Sequence, residues 1–186
     1  MKILKRRGIT VDCSFIVKHP GYPESQTAVI EAGDQNINDI TFQVPDNNLF
    51  AMLKIGLEQG FTQYLGFPYE IDVTNNCQIV TTAGKAWASM LLDRFPHGEP
   101  GAIGIIEPVY PFPMLGPIYF NEEVMPDPGL QSTTVDGGIL WVNCPEGEYT
   151  LTAEKEGVTF RSMRIKARPG ILLNASPPYE IKSDQE

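Results

Sequence analysis

Gly138-Ile139-Leu140-Trp141-Val142-Asn143-Cys144-Pro145-Glu146-Gly147-Glu148-Tyr149-Thr150-Leu151-Thr152-Ala153-Glu154-Lys155-Glu156-Gly157 is the stretch that decides the fold class. Its first half is apolar almost throughout, and Pro145-Glu146-Gly147 carries the residue types of a turn. In its second half Tyr149, Leu151 and Ala153 alternate with Thr150, Thr152 and Glu154. Successive strand side chains point to opposite faces, so this half reads as a strand with one buried face and one wet face, and the whole predicts a hairpin. A weaker copy lies earlier: Ile40 to Pro45, then Phe50 to Leu57, then Gln59-Gly60-Phe61, with Pro45 and Pro145 a hundred residues apart. The echo predicts two similar β units.

Composition points the same way. The chain has 186 residues and 42% hydrophobic content, enough to build a core, and its 16 Pro and 17 Gly are spread along it as short strands and tight turns require. A net charge of −9 argues against a nucleic-acid partner, because phosphate backbones are bound by displacing counterions with Lys and Arg. The basic start, Lys2, Lys5, Arg6 and Arg7, is not followed by the apolar run of a signal peptide, so the chain as written reads as cytoplasmic. No stretch approaches the ~20 apolar residues of a membrane span. Cys13, Cys77 and Cys144 form an odd set that indicates no disulfide framework, and Cys13 and Cys144 read as small core residues.

Taken in order, Ile9 to Val17 alternates cleanly and predicts a strand, His19-Pro20-Gly21-Tyr22-Pro23 a loop, and Gln26 to Ala32 and Ile40 to Val44 two further strands. Leu49 to Leu57 is apolar nearly throughout and suits a short helix, but its length, the following Gln59-Gly60 and its match to the later stretch favour a strand buried on both faces; Phe61 to Tyr64 and Tyr69 to Val73 complete the first unit. A helix is predicted over 82–95, capped by Thr81 or Thr82, striped by Ala83, Trp87, Met90 and Leu91, and stopped at Phe95-Pro96. In the second unit the expected strands are Ala102 to Ile106, Ile118 to Phe120, Gln131 to Val135, the opening stretch, Val158 to Ile165 and Gly170 to Leu173. The prolines of 108–117 exclude that passage from a central strand. The expected organisation is a β unit over 1–75, a helical linker over 76–100, a β unit over 101–180 and a polar tail over 181–186.

Gly116-Pro117-Ile118-Tyr119-Phe120, the loop Pro126-Asp127-Pro128, Gly137-Gly138 and the turn Asn143 to Tyr149 together resemble the carboxypeptidase regulatory-like, or transthyretin-like, β-sandwich modules common in bacterial envelope and secreted proteins. Such modules show a Pro-x-Gly-x-Tyr segment entering a strand that ends at Gly, which Pro145, Gly147, Tyr149 and Gly157 match; the resemblance covers 100–175 and is weaker over 9–75. It implies a seven- or eight-stranded Greek-key sandwich, and together with the echo the expected fold is all-β: two tandem or fused transthyretin-like antiparallel sandwich units joined by the helix. It also implies a role in adhesion, stabilisation of a neighbouring domain, or carbohydrate and protein binding, and a place in the cell envelope or outside the cell.

The candidate chemistry is thin. Both histidines, His19 and His97, sit in Pro/Gly-rich loops, near Tyr22 and Glu24 in one case and Glu99 in the other. Were the loops to meet, they could hold a transition metal. Intradiol ring-cleaving dioxygenases, built on a related sandwich, bind iron through two His and two Tyr, but their ligand spacing is not present here. There is no nucleophile elbow, phosphate loop or dinucleotide fingerprint. Phe61, Phe67, Tyr119 and Phe120 read as core, Trp87 and Trp141 likewise, and Tyr149 as a corner hydrogen bond. The leading expectation is a non-catalytic module without a cofactor, binding protein, carbohydrate or a small hydrophobic ligand through His19, Tyr22, His97, Glu99 and Tyr119. The alternatives are a small enzyme acting on an aromatic or hydrophobic substrate, metal-dependent through His19 and His97, and a structural subunit of a larger assembly such as a homo-oligomer.

Overall fold

The computed structural model describes residues 11–32, 42–85, 97–175 and 179–184. Its elements run β1 (Val11–Cys13), β2 (Ile16–Val17), β3 (Ser25–Gln26), β4 (Ile30–Ala32), α1 (Asn47–Leu65), β5 (Cys77–Gly84), β6 (Ile103–Glu107), β7 (Leu115–Phe120), β8 (Pro126–Asp127), β9 (Gly138–Cys144), β10 (Gly147–Glu154), β11 (Met163–Ala167), β12 (Leu172–Ala175) and β13 (Ile181–Lys182). The protein is mostly β-sheet with one helix among the described residues.

The large sheet has the order β2-β3-β12-β5-β9-β7-β8, with β13 also on β5; the small one has the order β11-β10-β6; and β1 pairs with β4. β5 accepts β12 and β13 in parallel on one side and β9 antiparallel on the other. The large sheet thus interleaves strands from all the segments expected as separate units.

The two sheets share one core. Ile79, Ile139 and Trp141 of the large sheet and Ile106, Leu151 and Ile165 of the small sheet belong to a single buried cluster. A second cluster lies on the other side of β9, where Leu140 and Val142 meet Leu57 and Phe61 of α1. Neighbouring side chains of β9 therefore enter different cores, and all seven of its residues are buried. This explains why 138–144 reads as a continuous apolar run while β10, covered on one face, alternates.

The decisive stretch is therefore two strands, but not a hairpin. β9 pairs with β5 and β7, and β10 with β6 and β11, so Pro145-Glu146 carries the chain from one sheet to the other. Asn143, at φ 56°, turns the backbone at this corner, and Tyr149 Oη donates to the Pro145 carbonyl across it at 2.8 Å. The expected corner hydrogen bond of Tyr149 is present. Trp141 is core as expected, its indole flanked by Gly104 and Gly116, where an added Cβ would come within 3.1 and 2.4 Å of the ring.

The earlier copy of the stretch is not a copy in structure. Residues 47–65, expected as strands over 49–57 and 61–64, are the helix α1, and Tyr69 to Val73 forms no strand. The apolar residues Leu49, Leu53, Leu57 and Phe61 recur every four positions, which suits a helix face; the glycines at 56 and 60 do not break it. Of the strand expected over 40–44, residues 42–44 are irregular and the rest lies outside the described residues.

The helix expected over 82–95 is also corrected where it can be seen. Thr81, Thr82 and Ala83 lie inside β5, and Thr81 Oγ1 donates to the Ala175 carbonyl at 2.9 Å. Residues 86–96, with Trp87, Met90 and Leu91, lie outside the described residues. Gln131 to Val135 is irregular rather than a strand, with Thr133 held by hydrogen bonds to residues 99 and 102. Pro117 does enter a strand, β7 between β9 and β8, at the point where the register with β9 shifts, so its missing donor costs no ladder bond. The expected tail from 181 begins instead with β13, where Ile181 is fully buried.

Candidate functional site

Helix α1 begins where Asp46 accepts the backbone N–H groups of Asn48 and Leu49, both at 2.9 Å, and ends at Gly66, whose φ of 76° forms a left-handed cap. Its C-terminal half is seated: Leu57 and Phe61 pack on Ile118, Leu140 and Val142. Its N-terminal half is not in such contact. Leu49, Phe50 and Leu53 of the helix face Val80 and Leu140 of the sheet across a cavity of about 470 Å³. Alternation along β5 sends Cys77 and Ile79 into the inter-sheet core and leaves Val80 for the cavity floor.

Polar groups stand at the margins. At one, Lys54 is tied to Glu58 one helical turn on, and Glu58 Oε1 also accepts the Ile71 N–H at 2.7 Å. Nearby, Gln78 Oε1 accepts the Asn143 N–H at 3.0 Å. At the opposite margin are Thr82, His97 and Asp136. The backbone brings His97 and Asp136 together: a Cβ added to Gly98 would lie 2.3 Å from Gly137 N and 2.4 Å from the Asp136 carbonyl carbon. Gly98 N also donates to Val135 O at 3.0 Å, and Lys85 N to His97 O at 3.0 Å. The Asp136 carboxylate folds back so that Oδ2 accepts Gly138 N–H at 3.0 Å, an approach that a side chain at 138 would block. Burial raises the Asp136 carboxyl above its ordinary value, opposed by that hydrogen bond and by the nearby charge of His97.

The expected site residues do not form one constellation. His97 lines the cavity. His19 and Tyr22 lie together on the exposed β2–β3 loop, rings 5.4 Å apart edge to face, with His19 Nδ1 donating to Pro20 O at 2.7 Å. Glu99 is bonded to Lys155, a structural use. Tyr119 is 2% exposed, and its hydroxyl accepts Gly104 N–H at 3.2 Å, a bond between the two sheets. Of these five only His97 faces the cavity. Among the described residues no group of three or more His, Cys, Asp and Glu side chains is placed to hold a metal ion.

The cysteines are free: Cys77 and Cys144 lie opposite each other in β5 and β9, fully buried, and burial pushes the Cys77 thiol up to about 11. Phe67, expected in the core, is exposed and edge-on to Phe112 at 5.7 Å.

Val80, Leu140, Leu53 and Asp136 are the lining residues that a reading of the sequence misses. The four-residue spacing from Leu49 to Phe61 between Asp46 and Gly66 is the signal that locates the helical wall. No local signal pairs Asp136 with His97, because their proximity comes from the packing of Gly98 on Gly137. No family model matches this chain, and comparison with curated proteins and with solved structures gave no match either. No helix of the described residues is long and apolar enough to cross a membrane.

Proposed function

We propose that the protein is a non-catalytic binding module that takes a small, largely apolar ligand between α1 and the large sheet. The observation that carries this reading is the cavity itself. Its volume of about 470 Å³ falls in the roughly 300–1,000 Å³ range of small-molecule sites, and its lining is predominantly apolar, led by Leu and Val, with polar side chains such as Gln78, Thr82, Asp136 and Asn174 among it. A water-filled space of this lining is unfavourable, and an apolar ligand would recover the burial that α1 forgoes along its N-terminal half. The scaffold we propose is a single transthyretin-like sandwich with the helix laid on one outer face. Support comes from the Pro145, Gly147 and Tyr149 corner and from two sheets on one core.

The test is ligand-dependent stabilisation. A ligand that binds only the native state raises its melting temperature by mass action. Neutral alkyl and aromatic compounds are expected to raise the Tm of the wild-type chain and to leave Val80→Trp, whose ring occupies the cavity floor, unshifted. Shifts of equal size in both proteins would mean binding elsewhere and would sink the proposal, as would no shift in either.

A further inference from the structure

We infer that the ligand of this cavity is an amphiphile whose head donates hydrogen bonds, an amine or a hydroxyl, and that the head docks on Asp136 while the apolar body lies along Leu53, Val80 and Leu140. This rests on the cavity being the binding site. Asp136 is the one carboxylate among the described lining residues, and it is 7% exposed, held at the margin by the packing of Gly98 on Gly137. One of its oxygens already accepts the Gly138 N–H, which fixes the orientation of the group before any ligand arrives. An ionised carboxylate so placed offers acceptors only, so it complements a donor and repels another carboxylate.

Among the described lining residues the cavity offers an acidic head no unpaired ammonium. Its one ammonium among the described lining residues, Lys54, is neutralised by Glu58, which the Ile71 N–H holds in place. His97 and Thr82 flank Asp136, and both imidazole and hydroxyl can donate or accept, so they serve an amine or an alcohol alike. The net charge of −9 adds to the bias, favouring approach of neutral or cationic amphiphiles over anionic ones.

The experiment compares decylamine, decanol and decanoate, three probes with the same chain, by calorimetric titration of the wild-type protein, Asp136→Asn and Val80→Trp. The expected order in the wild type is decylamine and decanol at least about tenfold tighter than decanoate. In Asp136→Asn, which keeps an oxygen for Gly138, decylamine is expected to lose its advantage while decanol binding changes little. Decanoate binding as tightly as decylamine in the wild type overturns the inference, as does an unchanged order in Asp136→Asn. If decanol still binds and Val80→Trp abolishes it, the apolar site survives that failure. If no probe binds in a manner that Val80→Trp blocks, both proposals fall. The wild-type order alone decides the matter should Asp136→Asn not fold.

Discussion

Asn143 ties β9 to residues 69–72 through a side chain of four heavy atoms. Its Nδ2 donates to Tyr69 Oη at 2.9 Å and to Glu70 O at 2.8 Å, and its Oδ1 accepts the Asp72 N–H at 2.8 Å, all while the residue sits at φ 56°. Tyr69 Oη in turn donates a hydrogen bond to Pro113 O at 2.6 Å, and burial raises its phenol well above the ordinary value. Asn is among the few residues that tolerate left-handed backbone and can also make such bonds. Asn143→Ala should cost about 2–4 kcal/mol in urea denaturation, because buried partners lose their bonds. Asn143→Gly should cost about 1 kcal/mol less than Ala, since it removes the same bonds but fits the backbone; equal losses would show that the backbone conformation is not part of the cost.

Glu180 is the opposite case, a carboxylate whose oxygens are both buried without a hydrogen-bond partner among the described residues, with Lys182 Nζ 3.6 Å away. Burial raises its pKa above the ordinary 4.5, against the pull of Lys182. The native state then holds the proton more tightly than the unfolded chain, so the stability linked to Glu180 is complete below about 4.5 and declines as pH rises through the folded value. Glu180→Gln should flatten that decline and gain on the order of 1 kcal/mol near pH 7. Thermal melts across pH would show it, and a wild-type protein that becomes more stable over the same rise, relative to Glu180→Gln, would contradict it.

At the scale of elements, α1 is the part whose identity the pattern of 138–157 obscured. The local evidence for a helix was complete: an Asp at the cap, Leu49, Leu53, Leu57 and Phe61 at four-residue spacing, and Gly66 at the end. A buried strand and a helix with one buried face can both present dense apolar sequence, and here Gln59-Gly60 favoured a turn over helix interior. What distinguishes them is the far side of the element. Met52 and Ile55 remain exposed on α1, whereas β9 exposes nothing. Asp46→Ala removes the acceptor of two backbone N–H groups and should destabilise the protein by about 1 kcal/mol. Because that cap begins the half of α1 that roofs the cavity, the same variant should weaken decanol binding more than it lowers the Tm of the apo protein. Unchanged affinity in a measurably destabilised Asp46→Ala would mean that the N-terminal turns of α1 are not part of the site.

At the scale of the whole molecule, one strand organises the rest: β9 has the inter-sheet core on one side and the helix with its cavity on the other. Filling the cavity should therefore affect binding more than folding. Val80→Trp is expected to change stability by no more than about 1–3 kcal/mol, since the ring enters open space rather than a packed core, and to abolish decanol binding. A severe loss of stability would show that the space is not free to accept it. The β-rich class, the position of most strands after residue 100, the burial of Trp141 and the Tyr149 corner were all readable from the chain. Period-two alternation and turn residues are local consequences of backbone geometry, so they survive without knowledge of the partner strand. The pairing of β9 and β10 with different sheets and the meeting of His97 with Asp136 were not. These depend on which surface covers each face and on the approach of backbone segments far apart in sequence, and only tertiary packing determines them.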